Sequence, residues 1–201
     1  MISWDDFPMG VNGGWTRLRN WLARYAPVTH EVLRDGATES DLQVLEQEIG
    51  VELPPDLREW WMACDGAQEG EFAEVLPPFY TPYSVVGALE AWRGHRKVWL
   101  DSWSAPQAAP EAGGPANSYH PAWVPLAFDG VGNDLVVDLR PGPLRGCVLE
   151  WDHEACRVEG PQWPGVAAML EAVVYAVTTG TQLGHSLPTV TPDGRLDWRT
   201  R

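Results

Sequence analysis

Apolar residues along this chain recur every three or four positions, then every second position, then every three or four again. Trp15, Leu18, Leu22 and Tyr25 form a helical stripe with Trp21 on its edge, and Pro27 ends it. Thr38 is placed to cap a second helix, with Asp41 three residues on as a short capping-box partner. Leu42, Leu45 and Ile49 supply its buried face and Gly50 stops it. The stretch from Leu53 to Gly66 predicts a third helix. Its prolines fall at the first turn, where the missing N–H has no partner to lose, and Gly66 suits the left-handed residue that closes a helix. Leu57, Trp60, Trp61 and Cys64 follow the spacing of one buried face. Adjacent Trp60 and Trp61 diverge by about 100° on a helix, so both are core only if the helix is sandwiched between two layers. Otherwise one of them, with Trp61 the candidate, lines a groove for a partner's side chain.

Phe72 to Tyr83 carries Pro77, Pro78 and Pro82 and reads as an irregular crossing segment. Ser84 is placed to cap a fourth helix with apolar positions Val85, Leu89, Trp92, Trp99 and Trp103, weakened at Gly94 by about 1 kcal/mol relative to alanine. Ser104 to Ala122, rich in Ala, Pro and Gly, has no period and is expected to be a mobile surface insertion. The pattern then turns strand-like. Trp123 to Phe128 and Leu135 to Leu139 flank Asp129-Gly130-Val131-Gly132-Asn133, a hairpin signature. Cys147 to Trp151 predicts a third strand and Cys156 to Val158 a short fourth, giving an antiparallel meander. Val166 to Thr179 is a helix ended by Gly180, and the tail forms a hairpin around Asp193-Gly194. Helices first, strands later and a closing helix predict an α+β fold, with helices packed around a curved antiparallel sheet. One domain is expected over 1–201, with a core at about 15–180, an insertion at about 104–122 and a hairpin-like tail at 181–201.

Twelve tryptophans in 201 residues supply a large apolar area, and most are expected in the core. The formal net charge is −14, with 28 acidic against 14 basic residues. That balance argues against nucleic acid or an anionic membrane as a direct ligand, since both reward clustered cations. It favours cationic partners instead. Cys64, Cys147 and Cys156 contain no C-x-x-C pair and fit a reducing compartment, although Cys147 and Cys156 could meet across a hairpin. The first residues, Met1 to Asp6, are acidic and lack the basic and apolar regions of a signal peptide. No apolar run reaches the length of a bilayer span. A cytoplasmic location is expected.

In order and spacing, these pieces resemble the SUKH superfamily, which includes a yeast cell-wall-assembly regulator and many bacterial proteins. The matching residues begin with the tryptophan-bearing helix at Trp15 to Leu22, then Leu45-Glu46, Ile49-Gly50, Leu53-Pro54 and Asp65-Gly66. They continue with Trp123-Val124-Pro125-Leu126, the run from Gly132 to Leu139, Gly146-Cys147-Val148 and the last helix to Gly180. The resemblance implies an α+β fold with helices around a curved antiparallel sheet. It also implies a function. Many bacterial members look like immunity proteins that bind and block a cognate toxin, often a nuclease, of a polymorphic toxin system. Other members are regulatory adaptors.

Asp129, Asp134 and Asp138, with Asp152, His153 and Glu154 on the next hairpin, are the best constellation for chemistry. Oxygen ligands there could hold a divalent cation, with His153 as a base. The opposing reading is stronger. Asp129 and Asn133 suit turns, and the even spacing of Asp134 and Asp138 puts them on a solvated strand face. The spacing matches no named metal motif, no G-x-S-x-G or P-loop occurs, and neither cofactor nor metal is expected. The resemblance makes toxin neutralisation by an acidic surface the leading expectation, with a basic protein toxin domain as partner. Trp61, Asp129, Asp134, Asp138, Asp152 and Glu154 are the partner-binding candidates. A regulatory adaptor without a toxin is the alternative, and a metal-dependent hydrolase the third reading.

Overall fold

A computed structural model describes residues 10–99 and 111–200. The expectations for the first residues, for Trp103 and for the start of the insertion lie outside the described residues. The helical half consists of α1 (Val11–Tyr25), α2 (Pro27–Val32), α3 (Glu39–Ile49) and α4 (Pro55–Ala63). Pro27 ends α1 and also opens α2, where its fixed φ suits a first turn. The α1 stripe is Val11, Trp15, Leu18 and Leu22, while Tyr25 lies outside beside Trp21 with ring centroids 5.4 Å apart. At α3 the capping box forms as its sequence dictates. The Thr38 side chain accepts from the Asp41 amide and the Asp41 carboxylate accepts from the Thr38 amide. The bonds from Thr38 hold the Asp41 carboxyl below its ordinary range.

α4 is sandwiched, so both of its tryptophans are core. Trp60 packs on Trp15 of α1 with centroids 4.8 Å apart, and the Trp61 indole donates to the Tyr83 carbonyl at 3.0 Å. Both are fully buried. Cutting either back to alanine costs about 3–5 kcal/mol. The helix ends at Cys64, which is extended, two residues before the expected stop. Gly66 has a different task. Its φ is +73°, and a Cβ there would fall 2.4 Å from the Ser84 nitrogen. The residue lets two backbones touch.

The second half runs β1 (Thr81–Pro82), α5 (Val85–Trp99), β2 (Trp123–Phe128), β3 (Asp134–Asp138), β4 (Val148–Trp151), β5 (Pro161–Trp163), α6 (Val166–Thr179), β6 (Ser186–Val190) and β7 (Leu196–Thr200). The first five strands make one antiparallel sheet in sequence order. The α+β architecture predicted from the pattern is the one observed. The expected fourth meander strand at Cys156 to Val158 is not a strand. Those residues make only single bridges, Asp152 with Arg157 and Ala116 with Val158, and the edge strand forms later, at Pro161–Trp163. Ser84 caps α5, its hydroxyl accepting from the Gly87 amide at 3.0 Å. Asp56 of α4 caps α6 from a distance, accepting from the Val166 amide at 2.9 Å.

The sheet is covered on both faces. Val124, Leu126, Leu135, Val137 and Val148 join the helices in the main core. Trp123, Val136, Leu149 and Trp151 face a second cluster with Tyr119, Cys147 and Val158. The described part of the Ala-Pro-Gly insertion is therefore part of the structure. Ala112 and Tyr119 are buried, and Ala116 bridges Val158. The tail hairpin forms around Asp193-Gly194 and docks inward through Leu196 and Trp198, whose indole donates to the Glu74 carbonyl at 3.0 Å.

Two glycines with the same backbone sign separate conformational strain from collision. At Gly50, φ is +71° and nothing lies within 4 Å of a built Cβ, so Gly50→Ala should cost about 1–2 kcal/mol. Gly66→Ala adds a backbone clash and should cost about 3 kcal/mol or more. Urea unfolding of both variants measures the difference, and equal midpoints would contradict it.

Candidate functional site

The acidic residues singled out in the sequence do not form one exposed patch. Asp134 and Asp138 share a face of β3 with Val136, as the two-residue period requires, but that face is covered. Asp134 is buried. It accepts from the Tyr83 hydroxyl at 3.0 Å and lies 2.5 Å from Nε2 of His95 on α5. Burial pushes its carboxyl up, opposed by His95 and by the Tyr83 hydrogen bond. Burial pushes the Tyr83 phenol up as well, and the carboxylate beside it adds to that. The Tyr119 ring stacks on His95 with centroids 4.4 Å apart, and its hydroxyl donates to the Trp123 carbonyl.

Asp138 is fully buried with Arg140. Arg140 donates through Nε at 3.0 Å and through Nη2 at 2.6 Å, and also reaches the Gly114 carbonyl at 2.8 Å. The Gly113 amide donates to the same carboxylate at 2.9 Å. This pair straps the segment after residue 110 to the sheet. The expectation that Asp134 and Asp138 lie on a solvated face is thus corrected, because Tyr119, His95 and the segment at 111–122 cover them. Trp61 is corrected likewise. It lies inside the sandwich and lines no groove.

Asp129, Asp152 and Glu154 remain near the surface, at one end of the sheet. Asp129 cradles its own turn, Oδ1 accepting from the Val131, Gly132 and Asn133 amides at 2.8, 2.9 and 3.0 Å. Asp152 accepts from the Ala155 amide at 2.8 Å. Asn133 joins the two turns, its side-chain oxygen accepting from the His153 amide at 3.0 Å. Glu154 is exposed. Among the described residues, no group of three or more His, Cys, Asp or Glu side chains converges as a metal ion requires. All three thiols are free, and burial pushes the Cys147 thiol up to about 11.

Beside these turns lies a groove that the sequence did not reveal. Phe72, Tyr83 and Phe128 form its aromatic wall, with centroids 5.9 Å apart for Phe72 and Phe128 and 4.6 Å for Tyr83 and Phe128. Glu69 and Glu71 stand on the rim, and the space is about 280 Å³. The Phe72 ring also covers Gly130, where a Cβ would fall 2.9 Å from it, so the aromatic wall abuts the β2–β3 turn. Val131 at the tip of that turn is 71% exposed. Phe72 lies in the proline-bearing crossing segment, and only its return onto β2 brings it to Phe128. An alternation pattern carries no signal for such a contact.

A helical layer on an antiparallel sheet, with polar groups spent on internal bonds, defines a scaffold whose free chemistry lies on its outer surface. The chain matches the SMI1 / KNR4 family (SUKH-1) over residues 36–171 and belongs to that family. It is 30% identical to the cell wall biosynthesis/cell cycle regulator smi1 of Schizosaccharomyces pombe, over 89% of this chain and 38% of the relative. It is 28% identical to the glucan synthesis regulatory protein of Neurospora crassa, over 66% of this chain and 32% of that protein. Against the cell wall assembly regulator SMI1 of Saccharomyces cerevisiae the identity is 24%, over 64% and 32%. The chain spans about a third of the length of these relatives. Among the described residues, no helix is long and apolar enough to cross a membrane.

The Asp138–Arg140 pair gives a test of these placements. Asp138→Leu leaves a buried guanidinium uncompensated and should cost about 3–5 kcal/mol. Adding Arg140→Met should recover most of that loss. Glu154→Gln should stay within about 0.5 kcal/mol of the parent. Thermal or urea unfolding decides, and a mild Asp138→Leu phenotype would contradict the burial of the pair.

Proposed function

We propose that this chain is a protein-binding regulatory module that holds a partner on the end of the sheet formed by the groove and the two acidic turns. The observation that carries the reading is the groove itself. Phe72 is half exposed beside Phe128 and against Gly130 of the β2–β3 turn, with carboxylates on the rim. Exposed aromatic side chains ringed by polar groups mark interaction surfaces. Glu154, Asp129 and Asp152 stay in this reading as outer charges that steer a partner, while Trp61 and Asp134 hold Tyr83 from inside and Asp138, at the other end of β3, takes no part.

The relatives' names, all of them regulators, support the adaptor reading over toxin neutralisation. A toxin partner rests on the resemblance alone. In the relatives this unit is a minor fraction of a longer chain, which suits a domain that recruits and leaves other work to its neighbours. A location in the cytoplasm fits such a role and its free thiols.

A photoreactive amino acid at Val131 tests the surface in the organism that encodes the chain, with a second one at the exposed Tyr175 of α6 as control. Crosslinks to a discrete set of proteins should form from position 131 and not from position 175. Equal capture from both positions, or none from 131, would reject this end of the sheet as the binding face.

A further inference from the structure

We propose that the groove between the loop at 67–72 and the start of α5 receives an arginine side chain from an extended segment of the partner. The inference rests on the protein-binding reading above and adds the chemistry of the occupant. The wall is aromatic, and a planar guanidinium stacks on aromatic rings while it sheds water more easily than an ammonium. The rim is anionic. The groove's lining residues include Glu69 and Glu71 and no Lys, Arg or His. Arg195 lies beside Phe72 and outside the lining. It donates to the Phe72 carbonyl at 3.4 Å and is held by Asp193 at 3.6 Å and by Glu71 at 4.0 Å. Glu69 has no ion pair among the described residues, so its exposed carboxylate is left to meet an incoming cation.

Size and polarity select against other occupants. About 280 Å³ admits one long side chain with its flanking backbone, and not a helix. An anionic segment would meet the Glu69 carboxylate, which no cation among the described residues offsets. An apolar side chain would cover the rings but bury the Glu69 carboxylate without a partner, at a cost. Arginine satisfies both parts of the groove at once. Its guanidinium lies over Phe72 and Phe128 and its N–H groups point to Glu69. The edge strand β1 supplies little backbone pairing, because Pro82 has no N–H and Thr81 is buried, its hydroxyl accepting from the Ala73 amide. Side-chain capture, and not strand addition, is the mode this groove supports.

The test uses the full chain and three blocked pentapeptides of sequence Gly-Ser-X-Ser-Gly, with arginine, citrulline or leucine at X. Citrulline keeps the shape of arginine and removes the charge. Backbone amide spectra should show shifts for the arginine peptide clustered at Gln68 to Phe72, Ser84, Gly87 and Phe128, with millimolar affinity. The citrulline and leucine peptides should bind at least about fivefold more weakly, the scale of a desolvated cation–ring contact. Phe72→Ala and Glu69→Gln change exposed side chains and should each weaken the arginine peptide about two- to fivefold, with the amide spectrum elsewhere unchanged. Raising salt from about 50 to about 300 mM should weaken it further.

Binding of citrulline or leucine as tight as arginine would overturn the assignment, as would shifts scattered over the surface or absent at millimolar peptide. Crosslinking from Val131 without arginine binding would leave the module reading standing and remove the arginine site. Arginine binding without crosslinked partners would do the reverse.

Discussion

The contact on which the rest of this structure depends is the meeting of Asp65-Gly66 with Tyr83-Ser84. Here the chain leaves the helical half and touches the segment that feeds the sheet. The Asp65 carboxylate accepts from the Val85 amide at 2.8 Å, supplying the first turn of α5 with an acceptor from another part of the chain. It also pairs with Arg34 at 2.8 Å. Burial pushes this carboxyl up, and the Val85 amide and Arg34 pull it back. Gly66 lets the backbones close, the Trp61 indole bonds the Tyr83 carbonyl, and the Tyr83 amide donates to Leu126 of β2 at 3.0 Å. Remove the close approach and α4, α5 and β2 lose their common anchor.

From that anchor follows the treatment of charge. Tyr83 is fixed by backbone and ring contacts, so its hydroxyl is delivered to Asp134, and α5 delivers His95 to the other oxygen. Asp138 receives Arg140 and the Gly113 amide. Each inward carboxylate is met by donors, the condition under which a buried charge is tolerated. The same bonds pin the segment at 111–122 across the second face of the sheet. Polar groups that resemble a site in the sequence thus hold a cover in place.

Local signals were legible in the sequence. The Thr38–Asp41 box, Gly50, Ser84 and Gly180 mark helix ends through contacts a few residues long, and the hairpins at Asp129 to Asn133 and Asp193-Gly194 are equally local. The shared order of these marks also led to the family. Long-range closure was not legible. Alternation of Asp134, Val136 and Asp138 has the period of a half-solvated strand, and nothing in the period says that Tyr119 and His95 will cover it. Arg140, two residues beyond Asp138 on the same side, was the available hint. Gly66 stands where a helix-closing glycine would stand, yet its work is a contact with residues nearly twenty positions away. The edge strand at Pro161–Trp163 is too short to show a period, and the sequence reading placed it at Cys156 to Val158 instead. Phe72 sits among prolines with no pattern at all.

The acidic surplus takes its meaning from this arrangement. Arg34, Arg58, Arg93, Arg140 and Arg195 are drawn into pairs with carboxylates of the same chain. What remains unbalanced lies outside, on residues such as Glu69 and Glu154. A field of that kind gathers cations without choosing among them, since exposed charges are screened within about 10 Å at ordinary salt. Choice requires a surface that is dry, shaped and close to the charge. Phe72, Tyr83 and Phe128 form a shaped aromatic wall near Glu69, held in position by the contacts at Tyr83 that join the two halves of the fold. The fold and the groove share that residue: its carbonyl and hydroxyl face the interior, and its ring backs the groove.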